Sequence, residues 1–196
     1  SVDQPGWEIC TTTEIASYVA QHGCREGGSR GGRHFRICFP VTVAQFDQRP
    51  VPLDPYLLGV LIGDGNYTHG HVTITSEDQE IIDSLAIPCG CKIRKITNKS
   101  TVSPGRFGRA SLYSITGTGY RTNIVRDGLK ELGLNGKRGW EKFIPESYLY
   151  NSVEVRLGLL QGLLDTDGRC GKTGYAQYYT TSSRMVEDIT LLVRSL

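Results

Sequence analysis

Leu58-Gly59-Val60-Leu61-Ile62-Gly63-Asp64-Gly65 and Gln161-Gly162-Leu163-Leu164-Asp165-Thr166-Asp167-Gly168 superimpose at an offset of 103 positions, and this internal repeat constrains the 196-residue chain more than any other feature. Gly59 matches Gly162, Asp64 matches Asp167 and Gly65 matches Gly168, with mostly apolar residues between them. The likeness continues downstream. Residues 71–75 alternate like a strand and lead into a Ser76-capped helix through Leu85. Residues 174–180 again read as a strand, followed by a helix capped by Ser182 or Ser183 and running to Leu196. Motif, strand and capped helix in the same order imply a duplicated structural unit. The first copy goes on through strands at 92–96 and 109–115, then a helix over 119–132 with Ile124, Val125, Leu129 and Leu132 on one face. The second copy has no equivalent, so a second polypeptide or further segment is expected to supply it.

Each motif reads as a helix that ends at its aspartate. Leu57, Leu58, Leu61 and Ile62 make the first copy apolar on most sides, which predicts a buried helix. A glycine inside a helix costs roughly 1 kcal/mol relative to alanine, so Gly59 and Gly63 need a compensating role. Close approach of a second backbone supplies one, and Gly158 and Gly162 offer the same spacing in the second copy. Two such helices can pack face to face along the pseudo-dyad. Gly65 and Gly168 are expected to end them as C-terminal glycines do.

That packing brings Asp64 and Asp167 to the same end. Helix C-termini carry partial negative charge, and two neighbouring carboxylates raise each other's pKa. A divalent cation removes the conflict, because carboxylate, carbonyl and water oxygens can surround it. Taken singly, Asp64-Gly65 and Asp167-Gly168 are ordinary helix-ending turns. Taken together beside a basic region, they predict Mg²⁺ at a nucleic-acid phosphate. Paired carboxylates of a glycosidase are the rival, but they need neither helix ends nor a cationic neighbourhood.

The basic region lies between the motifs. Cys91 to Lys142 holds twelve Lys and Arg against three Asp and Glu, although the net charge of the chain is only +2. Such clustering is either a solvated basic surface or a phosphate-binding face. The six cysteines lack zinc-ligand spacing and are expected to be incidental thiols. No apolar run approaches the ~18 residues of a membrane span, and Ser1 to Pro5 lacks the layout of a signal peptide. An intracellular protein without membrane partners is the expectation. Residues 1–54 read as an N-terminal connecting segment: a short helix from Thr11 through Val19, a glycine- and arginine-containing loop, a strand at 34–39 and the proline-punctuated linker 48–55. Residues 55–150 and 151–196 form the first repeat and a truncated second one.

At these residues the chain resembles the LAGLIDADG family, in particular the dodecapeptide-type homing endonuclease domains of inteins. Leu57 to Gly65 resembles the first family motif, Leu160 to Gly168 the second, and Lys142-Phe143-Ile144-Pro145 the block between them. The resemblance covers roughly Pro55 to Leu196. It implies an α+β fold, a pseudo-twofold pair of αββαββα units with motif helices at the interface. It also implies a site-specific endonuclease, a hydrolase cutting both strands of double-stranded DNA with Mg²⁺, for which Mn²⁺ can substitute. Asp64 and Asp167 would hold the metal with backbone oxygens of Gly63 and Thr166, and Lys142 would assist at the phosphate or order the attacking water. Lys92, Arg94, Lys95, Arg106 and Arg109 would contact DNA from strands. The alternative is a cleavage-inactive DNA-binding module or RNA maturase of the same fold. The splicing blocks of an intein have no match in this sequence.

Overall fold

The structure is a computed structural model, and it describes helical positions 13, 14, 17, 20 and 21 together with residues 43–68, 70–96, 110–117, 123–171 and 174–196. The chain divides into two compact units, Ser1–Val41 and Thr42–Leu196. In the first, positions 13, 14, 17, 20 and 21 are helical, where a helix over 11–19 is expected, while the glycine-rich loop and the strand at 34–39 lie outside the described residues. The boundary falls at Val41, earlier than the expected 54. Arg49 explains part of the difference: its N–H donates to Asn151 Oδ1 at 3.1 Å and its carbonyl accepts from Asn151 Nδ2 at 3.0 Å, so the proline segment is docked rather than free.

The second unit opens with α1 (Pro55–Asp64). Asp54 caps it by accepting from Leu57 N–H at 3.0 Å, and Pro55 enters at the first turn, where its missing N–H costs nothing. Leu57, Leu58, Val60, Leu61 and Ile62 are each at most 2% exposed, so a helix apolar all round is buried all round. Next come β1 (Gly65–Asn66), β2 (Val72–Ser76), α2 (Gln79–Asp83), β3 (Cys91–Ile96), β4 (Ser111–Gly117) and α3 (Ile124–Glu131). The strands form one antiparallel sheet in the order β1-β2-β4-β3. A 3₁₀ turn (Gly139–Glu141) and α4 (Glu146–Leu149) lead to α5 (Val153–Asp167), the short antiparallel pair β5 (Gly168–Cys170) and β6 (Ala176–Tyr178), and α6 (Ser183–Ser195).

Several local expectations change. Ser76 does not cap α2; its Oγ accepts from Asp78 N–H at 3.1 Å, and Asp78 is the capping residue of a five-residue helix. Ile124 is 47% exposed, because α3 turns Val125, Gly128 and Leu129 to the core. Gly65 and Gly168 are not left-handed caps, since their φ values are −77° and −86°. Glycine is needed there for space: a Cβ would lie 2.2 Å from the carbonyl oxygen of Leu61 or of Leu164. The pair of αββαββα units implied by the resemblance is also corrected. The architecture is α+β, but after α5 the described chain has two three-residue strands and one helix, against four strands and three further helices between α1 and α5.

Candidate cation site at the joined helix ends

The site exists because α1 and α5 touch backbone to backbone. A Cβ on Gly59 would lie 2.4 Å from Leu159 O, and one on Gly162 would lie 2.3 Å from Tyr56 O. The same closeness continues to the helix ends, where a Cβ on Gly63 would fall 2.0 Å from Thr166 Oγ1. Asp64 and Asp167, the last residues of the two helices, are thereby brought together. Burial pushes the Asp64 carboxyl above its ordinary value, the charge of Asp167 adds to the rise, and Lys142 opposes it. Burial also raises Asp167, with Lys142 and a hydrogen bond from Tyr178 opposing.

Lys142 is not a surface residue. It is 8% exposed, and its Nζ donates to the carbonyls of Ile62 at 2.6 Å, Gly65 at 2.9 Å and Gly63 at 3.0 Å. The ammonium thus closes the C-terminal end of α1, with the ring of Tyr67 centred 5.3 Å away. Burial lowers its pKa to about 8, against the pull of Asp167 and Asp64. Two bonds to α6 fix this placement. Ser182 Oγ donates to Lys142 O at 2.8 Å, and Ile144 N–H donates to Asp188 Oδ2 at 2.8 Å. The block Lys142 to Pro145 is therefore an extended strap aiming one cation at the helix ends.

Lys142 borders two cavities. One, of about 410 Å³, is also lined by Asp167, Tyr178, Thr180 and Thr181. The other, of about 440 Å³, lies on the side of Gly65 and Asn66. Tyr178 carried no sequence signal of a role. Its signal is register: it pairs with Gly168, the position that Ile74 holds opposite Gly65 in the first copy.

The donor set suits a small hard cation. No group of three or more His, Cys, Asp or Glu forms among the described residues, so two carboxylates would leave most positions to water and a phosphate. Mg²⁺ is commonly bound that way, through one or two carboxylates with retained waters. The Gly63 carbonyl already accepts from Lys142, which leaves it one free lone pair. Thr166 Oγ1 donates its proton to Leu163 O at 2.9 Å and Gly162 O at 3.1 Å, back along the helix.

The basic residues do not form one face. Lys92 and Arg94 are exposed and stand opposite Thr116 and Ser114 in the β3–β4 ladder, on the open side of the sheet. Lys95 stands opposite buried Tyr113 and lies over its ring, 5.8 Å from the centroid, on the other side. Arg106 and Arg109 lie outside the described residues. Cys89, Cys91 and Cys170 are free thiols.

With this geometry in view, similarity to known proteins redirects the functional reading. The chain is 32% identical over 142 residues to the replicative DNA helicase DnaB of Mycobacterium intracellulare, covering 72% of this chain and 19% of that protein. It is 31% identical over 204 residues to the protein RecA of Mycobacterium bovis, covering 96% of this chain and 24% of RecA. The DnaB of Nostoc is 26% identical over 193 residues, covering 91% of this chain and 21% of the helicase. The chain thus spans about a fifth to a quarter of these relatives. No known family's profile matches it.

These relatives are named for helicase and RecA, not for a nuclease, and the resemblance to LAGLIDADG homing endonucleases is corrected accordingly. With it fall the homing-endonuclease fold assignment, the intein reading and metal-dependent phosphodiester hydrolysis, together with the maturase alternative. The physical reason lies in what the motif specifies. Glycines, leucines and a terminal aspartate dictate two helices in close contact, and that packing by itself does not specify bond cleavage. Nor does the sequence contain a G-x-x-x-x-G-K-S/T stretch, and every ladder among the described strands is antiparallel. No nucleotide-phosphate loop is therefore assigned to this chain. Among the described residues no helix is long and apolar enough to cross a membrane.

Proposed function

We propose that this chain is an intracellular DNA-binding region in which a divalent cation, held by Asp64 and Asp167, meets a backbone phosphate of double-stranded DNA. The observation that carries the reading is the pair of carboxylates at the joined ends of α1 and α5, half-buried beside one buried ammonium. Two like charges in that place are costly unless a cation joins them. The Thr166 carbonyl and the remaining lone pair of Gly63 complete the protein's share of the ligands, and Mn²⁺ would serve as well as Mg²⁺. Lys142 holds the α1 end in shape and adds positive charge for the phosphate. Chain continuity supports the DNA side. Asp64 runs directly into β1, whose sheet carries Lys92 and Arg94 among Thr73, Thr75, Ser114 and Thr116 on its open side. Cations and hydroxyls in such an array suit phosphate and sugar contacts. The names of the relatives, a DNA helicase among them, agree with that partner. A further polypeptide segment is proposed at the outer edge of β6, where strands equivalent to β4 would pair, since β2 has β4 at that place.

The test is DNA binding by fluorescence anisotropy with and without Mg²⁺, for the wild type, Asp64→Asn and Asp167→Asn. Binding should tighten with Mg²⁺ in the wild type alone, and weaken steeply with added salt in all three. Equal binding with and without Mg²⁺ would remove the cation from the reading. Strand scission by the wild type in Mg²⁺ would overturn a binding role and make the pair a reaction centre.

A further inference from the structure

The cavity on the Gly65 side has a wall that the cation site does not use. Beyond Lys142 it is bordered by Asn66, Thr68, Lys137, Arg138 and Trp140, and no carboxylate is among its lining residues. Trp140 is 60% exposed, one of several large apolar side chains that this unit leaves exposed. A single exposed aromatic is unremarkable. This one stands on a cavity of about 440 Å³ beside two cations, and the Arg138 guanidinium lies 5.4 Å from its ring centroid. Glu141, next in sequence to Trp140, is engaged by the backbone: its carboxylate accepts the Arg138 N–H at 3.0 Å. The volume falls within the roughly 300–1,000 Å³ of small-ligand sites. An exposed indole, a planar guanidinium and a lysine around one concavity match a planar base joined to an anion.

We infer that this cavity takes one unpaired nucleotide of a bound DNA strand, its base stacked on Trp140 and its phosphate between Lys137 and Arg138. The inference rests on the DNA-binding reading above. In a duplex, stacking on the neighbouring pairs covers both faces of a paired base, so only an unpaired or extruded base can lie on the indole. Asn66 and Thr68 stand at the same mouth, where Asn66 Oδ1 accepts from Thr68 Oγ1 at 2.9 Å, leaving the Asn66 amide N–H₂ free to donate to a base edge. The site shares only the bordering Lys142 with the cation site, and it needs no metal.

The chain has two tryptophans, so Trp7→Phe leaves Trp140 as the sole reporter. Three labelled duplexes are titrated into the full chain: one fully paired, one with a single unpaired base, and one with an abasic sugar at that place. Anisotropy reports binding and tryptophan emission reports stacking. The unpaired base should quench Trp140, and the abasic duplex should not. Trp140→Ala should weaken binding of the unpaired-base duplex by between about 5-fold and 100-fold and leave the fully paired duplex unchanged, while Trp140→Tyr retains most of the preference. An unchanged melting temperature of Trp140→Ala shows that the fold is intact. Quenching that is the same with and without the base, or Trp140→Ala binding all three duplexes as the wild type does, overturns the inference while DNA binding stands. Quenching by a free deoxynucleoside monophosphate but by no duplex also overturns it, in favour of a mononucleotide site. Failure of every duplex to bind overturns the DNA reading itself.

Discussion

The two copies of the repeat agree at their shared helix interface and differ almost everywhere else. Gly59 and Gly162 meet a neighbouring backbone at nearly the same distance, and Gly65 and Gly168 are forced by the same crowding from the preceding turn. Around the helix ends the likeness stops. The end of α1 is closed by Lys142, whereas Asp167 at the end of α5 faces an open cavity with Tyr178 at its side. The position filled by Gly63 in one copy is Thr166 in the other, and the four-stranded sheet of the first is a two-stranded ladder in the second. What the copies share is what the contact demands, and what surrounds the contact is where one pseudo-symmetric pair of carboxylates becomes two chemically distinct ones.

The strongest test of the shared part is to add a methyl group to it. Gly59→Ala and Gly162→Ala should each destabilise the protein by about 2–4 kcal/mol, because backbone rather than a movable side chain occupies the space. Urea denaturation checks this, and unequal costs would break the symmetry of the interface. Gly63→Ala should be costly too, but Thr166→Gly should restore part of the loss, since the clash is with that side chain.

The capping lysine tests the difference between the ends. Lys142→Met leaves three carbonyls of the α1 end without their donor, a loss of roughly 2–3 kcal/mol, while no equivalent lysine caps α5 among the described residues. The folded pKa of Lys142, about 8, lies below the ordinary 10.5, so its titration favours the fold above 10.5 and that advantage is lost as pH falls through 8. The stability lead of the wild type over Lys142→Met should therefore widen between pH 8 and 10.5, as read from denaturation curves at several pH values.

The carboxylates sharpen the comparison further. Both have folded pKa values raised by burial, so their contribution to stability is present in acid and is lost as pH rises through those values. Without divalent cation, Asp64→Asn should stabilise the neutral-pH protein by roughly 0.5–1 kcal/mol, kept small by the half-exposed position. Asp167→Asn should gain less, because Tyr178 donates to Asp167. Mg²⁺ at about 100 times its Kd should add about 2.7 kcal/mol to the wild type and nothing to either variant, with the gain disappearing in acid. Thermal melts with and without the cation decide this.

The smallest effect concerns the helix starts. Asp54→Ala removes a hydrogen-bonded cap from α1 and should cost about 1 kcal/mol. Ser152 makes no side-chain capping bond to α5, so Ser152→Ala should stay within about 0.5 kcal/mol.

The repeat, the two motif helices, their glycine-to-glycine contact and the convergence of Asp64 and Asp167 were all legible in the chain. Each follows from local rules: apolar residues on every side of a helix, glycines four apart, and a helix ending at each aspartate. Strands β3 and β4 were also legible to within two residues from their alternation. The family and its chemistry were not, because a packing motif carries no statement about reaction, and similarity to DnaB and RecA changed that reading. Only the tertiary structure put Lys142 inside, since its burial depends on bonds from Ser182 and on the Asp188 contact to Ile144, made by a helix 40 or more residues away. Only register assigned Lys92 and Arg94 to one side of the sheet and Lys95 to the other, and only the fold gathered Asn66 and Trp140 around one cavity. Spacing along a chain determines what one element must bury. Which side chains from different elements share a site depends on how those elements pack, and that is set by contacts the spacing does not contain.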